Sequence, residues 1–362
     1  MPHPEIDNRT PFAFEPLFIA DEDGRPILVP IVKATFDVDA RGYVTLAEEQ
    51  RAVEFAGVLY GEPGSSSYRL EPETAFFKPA TDVVLIGHAY VPQVGAVYVD
   101  VEFRVGPVGK WVRVWGDRYA TGHQGGGVTD PAPFEMMPLT FERAFGGWDR
   151  TPEDPDRHSC EPRNPVGVGF RTRHGVVAEG DPWPNLEDPY DPVQGIGSQG
   201  KPAGFGFLSP DWQPRSALAG TYDAAWTANR SPLLPHDFDR RFFNAASEGM
   251  IAPGYLAGNE PVLVRQGTPE GYWTFYLPGA ANPVCHVATK MGDDRLIETH
   301  LDTVIVDADT QQVVLLWRNL TPLQDGPLDV QAMTVTCANM ERAPSVETVP
   351  EVESGGTTFG GS

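Results

Sequence analysis

The chain has 362 residues and a formal net charge of −23. This charge argues against binding to nucleic acid, because such binding depends on neutralising phosphates with Lys and Arg. No apolar run approaches the ~20 residues that a membrane helix requires, so we expect no membrane partner. The first residues, MPHPEIDNRTPF, have neither the basic start nor the apolar segment of a secretory signal. A cytoplasmic location is therefore expected.

The acidity leaves two interpretations open, a basic protein partner or solubility alone. The cysteines, Cys160, Cys285 and Cys337, are odd in number and far apart. Because disulfide frameworks and structural zinc sites need paired cysteines, we predict reduced thiols. No metal ligand set and no cofactor is predicted.

The chain begins with a predicted β-hairpin around Asp23 and Gly24, in the run LFIADEDGRPILVPIVKATFDV. The apolar residues of its second strand do not alternate strictly, which indicates burial on both faces for part of its length. Pro30 cannot donate to a neighbouring strand and predicts a position near a sheet edge.

A three-stranded antiparallel meander is predicted next. Residues 82–91 and 96–105 form the clearest strand pair, and residues 110–119 continue the pattern. In the second strand, the apolar side chains recur at every second position from 97 to 105, which is typical of a half-buried strand. The short connections require antiparallel pairing.

Residues 150–215 contain eleven prolines and nine glycines, a composition typical of irregular structure. Aromatic residues are spread through this segment, whereas disordered segments contain few of them. We therefore predict a long loop laid over a sheet. Loops of this length are often functional, so Trp183 and Trp212 are candidate partner-binding residues.

The segment Gly220–Asn244 (GTYDAAWTANRSPLLPHDFDRRFFN), called the clamp segment below, is predicted to form two short helices. Thr221 is the expected N-cap of the first helix and Asp237 that of the second. Tyr222 and Trp226 share one helical face. Prolines at 232 and 235 separate the two helices.

Two interpretations of the clamp segment remain open. Its aromatic residues could fill the core of a sheet, or they could form a ridge that binds a partner. The partner-binding candidates in this segment are Tyr222, Asp223, Trp226, Asp237 and Asp239.

The final third returns to strands, predicted at 261–265, 272–276, 284–289, 302–306, 312–317 and 333–337. The predicted organisation is an N-terminal β lobe (1–149), a long Pro/Gly-rich crossing loop (150–219), short helices with a C-terminal β lobe (220–340), and a mobile tail (341–362). The fold class is mostly β, with antiparallel sheets packed as a sandwich or as two lobes.

Catalytic motifs find little support. Residues 195–200 match GxGxxG, but they neither follow a predicted strand nor open a predicted helix, as a dinucleotide site requires. Paired carboxylates could hydrolyse a glycoside, and Glu142, Asp237, Asp239 and Asp302 are candidates. Several of the acids lie beside arginines, which favours structural ion pairs.

Ten sequence blocks are spread over most of the chain: VKATFDV (32–38), EQ (49–50), FKPATDVVLIGHAY (77–90), WGDR (115–118), PLTFERAFGG (138–147), NPVGVGF (164–170), PAGFGFLSPDWQPR (202–215), GTYDAAW (220–226), LPHDFDRRFFNAA (234–246) and LDTVIVD (301–307). These blocks, in this order, resemble those of a bacterial family of unknown function whose genes lie in type VI secretion clusters.

The resemblance covers roughly residues 8–318 and implies a non-enzymatic adaptor or chaperone. Such a protein holds a secreted toxic effector and promotes its loading onto the spike protein of the secretion apparatus. The family has no catalytic residues to carry over. The alternative function is an acid-dependent hydrolase acting on carbohydrate.

Overall fold

We describe residues 4–121, 127–172, 175–194 and 200–340 of a computed structural model of the protein. Strands account for 38% of the residues and helices for 7%, which confirms the predicted mostly-β fold. Within the described residues there are 24 strands, one α-helix and five 3-10 helices.

The first twelve strands are β1 (Glu5–Asn8), β2 (Ala13–Ala20), β3 (Pro26–Val38), β4 (Val44–Leu46), β5 (Val58–Leu59), β6 (Tyr68–Leu70), β7 (Asp82–Ile86), β8 (His88–Tyr90), β9 (Tyr98–Val105), β10 (Val108–Trp115), β11 (Met136–Pro138) and β12 (Phe145–Gly146). The others are β13 (Trp148–Asp149), β14 (Ser159–Cys160), β15 (Val168–Gly169), β16 (Leu186–Glu187), β17 (Pro261–Arg265), β18 (Tyr272–Tyr276), β19 (Val284–Thr289), β20 (Arg295–Glu298), β21 (His300–Asp307), β22 (Gln312–Arg318), β23 (Thr321–Pro322) and β24 (Val330–Thr336).

The helices are short. The α-helix is α1 (Ala224–Asn229), and the 3-10 helices are η1 (Phe141–Arg143), η2 (Pro155–Arg157), η3 (Arg215–Leu218), η4 (Arg240–Phe243) and η5 (Gly326–Asp329). None of these helices is long or apolar enough to cross a membrane.

The largest sheet has the order β2-β3-β22-β21-β7, with β4 and β23 also paired to β3. The predicted hairpin is confirmed, because β2 and β3 pair antiparallel around the 21–25 turn. Strand β3 is buried along almost its whole length, which is more than the partial burial on both faces that its imperfect alternation predicted. Its side chains enter two apolar clusters on opposite faces of the sheet.

The edge position predicted from Pro30 is wrong. Strand β3 is central, with β2 on one side and β22 and β23 on the other. Pairing with β22 ends at Ile31 and pairing with β23 begins at Leu28. Pro30 therefore lies in the gap between these two pairings, where no backbone donor is needed.

The predicted pairing of residues 82–91 with 96–105 is also wrong. The first segment breaks at Gly87, which separates β7 from β8. Strand β7 pairs in parallel with β21, and β8 pairs with β11. The sheets are thus mixed rather than purely antiparallel, since β1–β24 and β12–β15 are parallel as well.

A second sheet has the order β16-β10-β9-β17-β18. The antiparallel pairing of β9 with β10 confirms that part of the predicted meander. Alternate residues of β9 from Val99 to Val105 are buried, so this sheet turns one face to the core and the other outward. Strand β16 comes from the long Pro/Gly-rich loop and pairs with β10.

The third sheet has the order β1-β24-β19-β20. All six strands predicted in the final third are present with small shifts in their ends, whereas β20 was not predicted. One large apolar cluster contains residues from all three sheets. The two larger sheets each combine strands from 1–149 with strands from 220–340, so their hydrogen bonding does not divide along the predicted domain boundaries.

The long loop between residues 150 and 219 contains only short strands and 3-10 helices within its described parts. Residues 195–199 of the GxGxxG match, and the predicted mobile tail 341–362, lie outside the described residues. The three cysteines are free thiols, and Cys285 and Cys337 are buried. Burial raises the pKa of Cys285 to about 12.

Candidate functional site

The two helices of the clamp segment form where the sequence predicts them, but with different N-caps. Asp223 precedes α1, and its Oδ1 accepts a hydrogen bond from the backbone N–H of Trp226 at 2.8 Å. Asp239 precedes η4 and accepts from the backbone N–H of Arg241 at 2.9 Å. The predicted caps, Thr221 and Asp237, are each two residues too early. A capping carboxylate must lie within reach of the second or third helical N–H.

Thr221 and Asp237 instead bond to each other. The backbone N–H and the hydroxyl of Thr221 donate to the two carboxylate oxygens of Asp237, at 2.9 and 2.7 Å. These two bonds lower the pKa of Asp237 below its usual value. They tie together residues sixteen apart and close α1 and its following turn into a loop.

Trp226 is half-buried, and it contributes both a contact and a hydrogen bond. Its indole Nε1 donates to the Leu233 carbonyl at 2.8 Å. The exposed ring of Tyr222 packs edge-on against it, with the centroids 4.7 Å apart. An amphipathic aromatic pair of this kind offers a partly exposed surface at low conformational cost.

Two arginines fasten the clamp segment to the turn of the first hairpin. Arg230 donates to the Glu22 carbonyl at 2.9 Å and to the Asp23 carboxylate at 2.8 Å. Arg240 contacts the Glu22 carboxylate at 2.6 Å. Gly24 has a φ of +80° and lies close to Leu233. A Cβ atom added to Gly24 would be 2.7 Å from Cδ2 of Leu233.

The second half of the clamp segment fits the core interpretation. The Phe243 ring packs against Phe76, Phe238 and Phe242, with centroid distances of 4.7, 5.5 and 5.6 Å. The ring centroids of Phe238 and Phe242 lie 5.7 Å apart, although Phe238 precedes η4. Phe238 and Phe243 join the smaller apolar cluster beneath β3.

The two loop tryptophans lie in the interior. Trp183 is 6% exposed and Trp212 is 3% exposed. The Trp212 ring packs edge-on against Phe141 at 5.6 Å. Because their side chains are buried, a partner could reach neither without rearrangement of the loop.

A pocket of about 560 Å³ lies beside the clamp segment, where the long loop ends. Its residues come from four parts of the chain: Pro79 and Ala80; Leu208, Pro214, Arg215 and Leu218; Arg241, Asn244, Ala246, Glu248 and Gly249; and Ile251 and Ala252. Its walls are mainly apolar. This size and lining are typical of binding pockets in proteins.

A smaller pocket of about 320 Å³ lies within the clamp segment. Its lining includes Asp223, Trp226 and Asp237. Three of the sequence-predicted candidates therefore meet at one concave site. Asp239 is not part of its lining and instead pairs with Arg241, at the edge of the larger pocket.

Buried charged groups lie behind the larger pocket. The Lys78 ammonium contacts Asp82 at 2.7 Å and Glu71 at 2.8 Å, and it donates to the Thr303 hydroxyl at 3.1 Å. Arg215 contacts the other oxygen of Glu71 at 3.2 Å. Burial disfavours the charge on Lys78, but the attraction of Asp82 and Glu71 outweighs it, so the pKa of Lys78 is raised.

The same cluster positions two residues of the pocket. Asn244 donates to the Asp82 carboxylate at 2.9 Å. Arg215 donates to the carbonyls of Leu208 and Phe242, at 2.5 and 2.9 Å. The ionic cluster thus ties the end of the long loop and the end of the clamp segment to β7.

Sequence reasoning did not find this cluster. Arg215 and Glu71 are 144 residues apart in the chain. The blocks FKPATD and FFNAA contain Lys78, Asp82 and Asn244, but nothing in their spacing indicates that they meet. Such long-range ionic contacts are determined by strand pairing, which local patterns do not encode.

The carboxylates named for a hydrolase each have a structural partner. Glu142 accepts hydrogen bonds from the backbone and the hydroxyl of Ser67, at 2.5 and 3.0 Å. Asp302 is buried and lies 2.6 Å from the Arg318 Nε, although that N–H is not aligned for a hydrogen bond. Burial raises the pKa of Asp302 to about 6, and Arg318 offsets this only in part. No group of three His, Cys, Asp or Glu residues in the described parts of the chain could hold a metal ion.

Comparisons with known proteins give one family. Neither the curated proteins nor the solved structures include a significant match. A family model described as "Uncharacterized protein conserved in bacteria (DUF2169)" matches residues 23–318, well over half of the chain. The matched region contains the clamp segment, both pockets and the buried ionic cluster. The chain therefore belongs to this conserved bacterial family.

Proposed function

We propose that this protein is a non-enzymatic adaptor or chaperone that binds another protein through the larger pocket and the exposed side of the clamp segment. In the type VI secretion setting implied by the resemblance, the bound protein is a toxic effector. The adaptor then promotes loading of the effector onto the spike protein, and it acts in the cytoplasm.

The observation that carries the proposal is the apolar pocket with its polar groups already bonded. Asn244 is bonded to Asp82, and Arg215 is bonded to two carbonyls and Glu71. Leu208, Leu218 and Ile251 leave an apolar space between these groups. Such a space suits an apolar side chain from a partner, because no buried polar group in it would lose a hydrogen bond.

The neighbouring surface adds features common in protein interfaces. Tyr222 is 53% exposed and Trp226 is half-buried beside it. Tyrosine and tryptophan are enriched among the residues that contribute most to binding energy. Arg241 and Glu248 at the pocket edge are exposed and can pair with charges at the rim of a partner.

The rival hydrolase receives less support from the same contacts. Asp237 and Asp239 bond within the clamp segment, Glu142 bonds to Ser67, and Asp302 lies buried beside Arg318. A glycosidase needs two carboxyl groups about 5–10 Å apart across the bound sugar, whereas Glu142 and Asp237 line two different pockets. Purified protein tested on polysaccharides would reveal the rival activity directly.

The test is co-expression with the toxin that the resemblance leads us to expect beside this gene. The readouts are the toxin's soluble yield and its co-purification with this protein. We expect the adaptor to raise the yield. Ile251→Glu, which places a charge in the larger pocket, should weaken toxin binding at least ~10-fold, since burying an unpaired charge is costly. Its thermal melt should stay close to that of the parent, because Ile251 is 40% exposed.

Leu328→Glu is the matched control, because Leu328 is 51% exposed and lies in η5, outside the pocket lining. It should bind toxin like the parent. Equal toxin yield with and without this protein, or equal binding by the two variants, would contradict the proposal. Neighbouring genes for sugar uptake, rather than for a toxin and a spike protein, would favour the hydrolase.

A further inference from the structure

The outer face of the five-stranded sheet carries an unusual set of side chains. Residues on its outward side include Tyr98 and Arg104 of β9, Trp111 of β10, Arg265 of β17, and Tyr272 and Tyr276 of β18. Tyr98, Tyr272 and Tyr276 are each about half-exposed or more. Tyrosine, tryptophan and arginine are enriched at protein interfaces.

A groove of about 540 Å³ lies on this face. Its lining includes Tyr98, Asp100, Trp111, Arg265 and Gln266, together with most of the 92–97 turn. The groove is separate from the pockets at the clamp segment and shares no residue with them. None of its residues belongs to the site described above.

The ionic groups of the groove differ in how fully they are paired. Both oxygens of Asp100 contact Arg113, at 2.7 and 2.8 Å, so that carboxylate is neutralised in place. Among the carboxylates of the described residues, Arg265 pairs with Glu102 alone, at 3.6 Å, and Arg104 contacts the same carboxylate at 3.6 Å. Two guanidinium groups thus share one buried carboxylate, and Arg265 is 48% exposed on its side chain.

Aromatic rings hold Arg265 at the groove. Its guanidinium carbon lies 5.6 Å from the Trp111 ring centroid and 6.0 Å from that of Tyr272. Stacking on these rings restrains the side chain while leaving its N–H donors open. A guanidinium prepared in this way can form a bidentate bond with a carboxylate.

Gln266 lines the groove with its backbone held in an unusual conformation. Its φ of 57° is unusual for a residue other than glycine. Its backbone N–H donates to the Gly271 carbonyl at 2.8 Å, and its carbonyl accepts from the Tyr90 N–H at 2.9 Å. Backbone strain of this kind persists where surrounding contacts hold it, and here it places Gln266 in the groove lining.

We propose that this groove binds an acidic segment of a protein partner. A carboxylate of the segment pairs with Arg265, and an adjacent apolar or aromatic side chain packs against Trp111 and Tyr98. The charge of the whole protein makes such a site selective. At a net charge of −23, the surface in general repels an acidic segment, so the segment gains attraction only where arginines are locally in excess.

The experiment selects peptides from a random dodecapeptide phage library on the purified full-length protein. We expect enrichment of sequences that combine Asp or Glu with aromatic or aliphatic residues. The most enriched peptide is then labelled, and its affinity is measured by fluorescence anisotropy. Replacing its acids by Asn or Gln should weaken binding at least ~10-fold.

Two protein variants locate the site, each with a matched control. Arg265→Glu and Trp111→Ala should each weaken peptide binding at least ~10-fold. Arg104→Glu is the control for Arg265→Glu, because Arg104 also contacts Glu102 but does not line the groove. Tyr276→Ala is the control for Trp111→Ala, because it removes an exposed ring elsewhere on the same face. Tyr276→Ala should bind like the parent. Arg104→Glu should weaken binding less than Arg265→Glu, because it lowers the local positive charge without removing a guanidinium of the groove. Thermal melts confirm that all four variants are folded.

Several results would overturn the proposal. They are failure to enrich any peptide, enrichment without acidic residues, or equal losses for Arg265→Glu and Arg104→Glu. Binding of chitohexaose or cellohexaose that depends on Trp111 but not on Arg265 would identify a carbohydrate site instead. The selection uses no toxin, so this proposal and the adaptor proposal can fail separately.

Discussion

Lys78 provides a sharp test of the buried ionic cluster. Its ammonium is 2% exposed, and its partners Glu71 and Asp82 are 8% and 0% exposed. Lys78→Met removes the cation and leaves two carboxylates with fewer partners. Removing one member of a buried ion pair typically costs about 3–5 kcal/mol, because the remaining charge stays in a medium that solvates it poorly. We expect a loss in this range.

The remaining contacts limit the loss. Asp82 keeps hydrogen bonds from Asn244 and from the Ala245 N–H, both at 2.9 Å. Glu71 keeps Arg215 at 3.2 Å. In the double variant Lys78→Met with Glu71→Gln, one cation and one anion remain. Its loss should be smaller than the sum of the two single losses by about 0.5–3 kcal/mol, the usual coupling between contacting residues.

Urea unfolding followed by tryptophan fluorescence measures these free energies. The control is Lys201→Met, because Lys201 pairs with Asp191 at 3.3 Å while both side chains are 55% exposed. An exposed pair contributes about 0–1 kcal/mol. If Lys78→Met loses no more stability than Lys201→Met, the cluster does not contribute as its burial indicates.

Three further predictions concern stability. Trp212→Ala should cost about 3–5 kcal/mol as a large-to-small core substitution, whereas Trp148→Ala, at a residue 46% exposed, should cost less than half of that in urea unfolding. The pKa of Asp302 is about 6 in the folded state against an ordinary 3.8. Its stabilising contribution is therefore complete below pH ~4 and is lost as the pH rises through about 6. Asp302→Asn should remove this part of the pH dependence, measured as urea midpoints from pH 4 to 7. Gly24→Ala should cost about 1 kcal/mol or more of stability. Gly64→Ala should cost less, because both glycines have φ near +80° but of the two only Gly24 lies close to another residue, Leu233. Similar losses for the two variants would contradict the contact between the clamp segment and the hairpin turn.

Local patterns in the sequence predicted the local elements well. The Asp23-Gly24 turn, the alternation in β9 and the strands of the final third depend on residues a few positions apart. The helix caps were missed by two residues. Thr and Asp are both favoured N-cap residues, so residue type alone does not distinguish Thr221, the predicted cap, from Asp223, the observed one.

Long-range pairing could not be predicted in the same way. Strand β7 pairs in parallel with β21, whose residues are about 220 positions later. An antiparallel neighbour close in sequence is the simpler expectation, and it was wrong here. The buried ionic cluster and the larger pocket both depend on where β7 lies, so the sequence alone could not predict the candidate site's walls.

The position of the buried charges fits the proposed binding role better than a role in stability alone. Apolar residues of similar size are often at least as stabilising as a buried ion pair. Lys78, Glu71 and Asp82 nevertheless bond to groups that fix Arg215 and Asn244 in the pocket wall. Apolar replacements would have no directional contacts to hold those two side chains. A pocket whose walls are fixed before binding loses less conformational entropy when a partner binds. Under the proposed binding role, we therefore expect the cluster to raise the affinity for the partner.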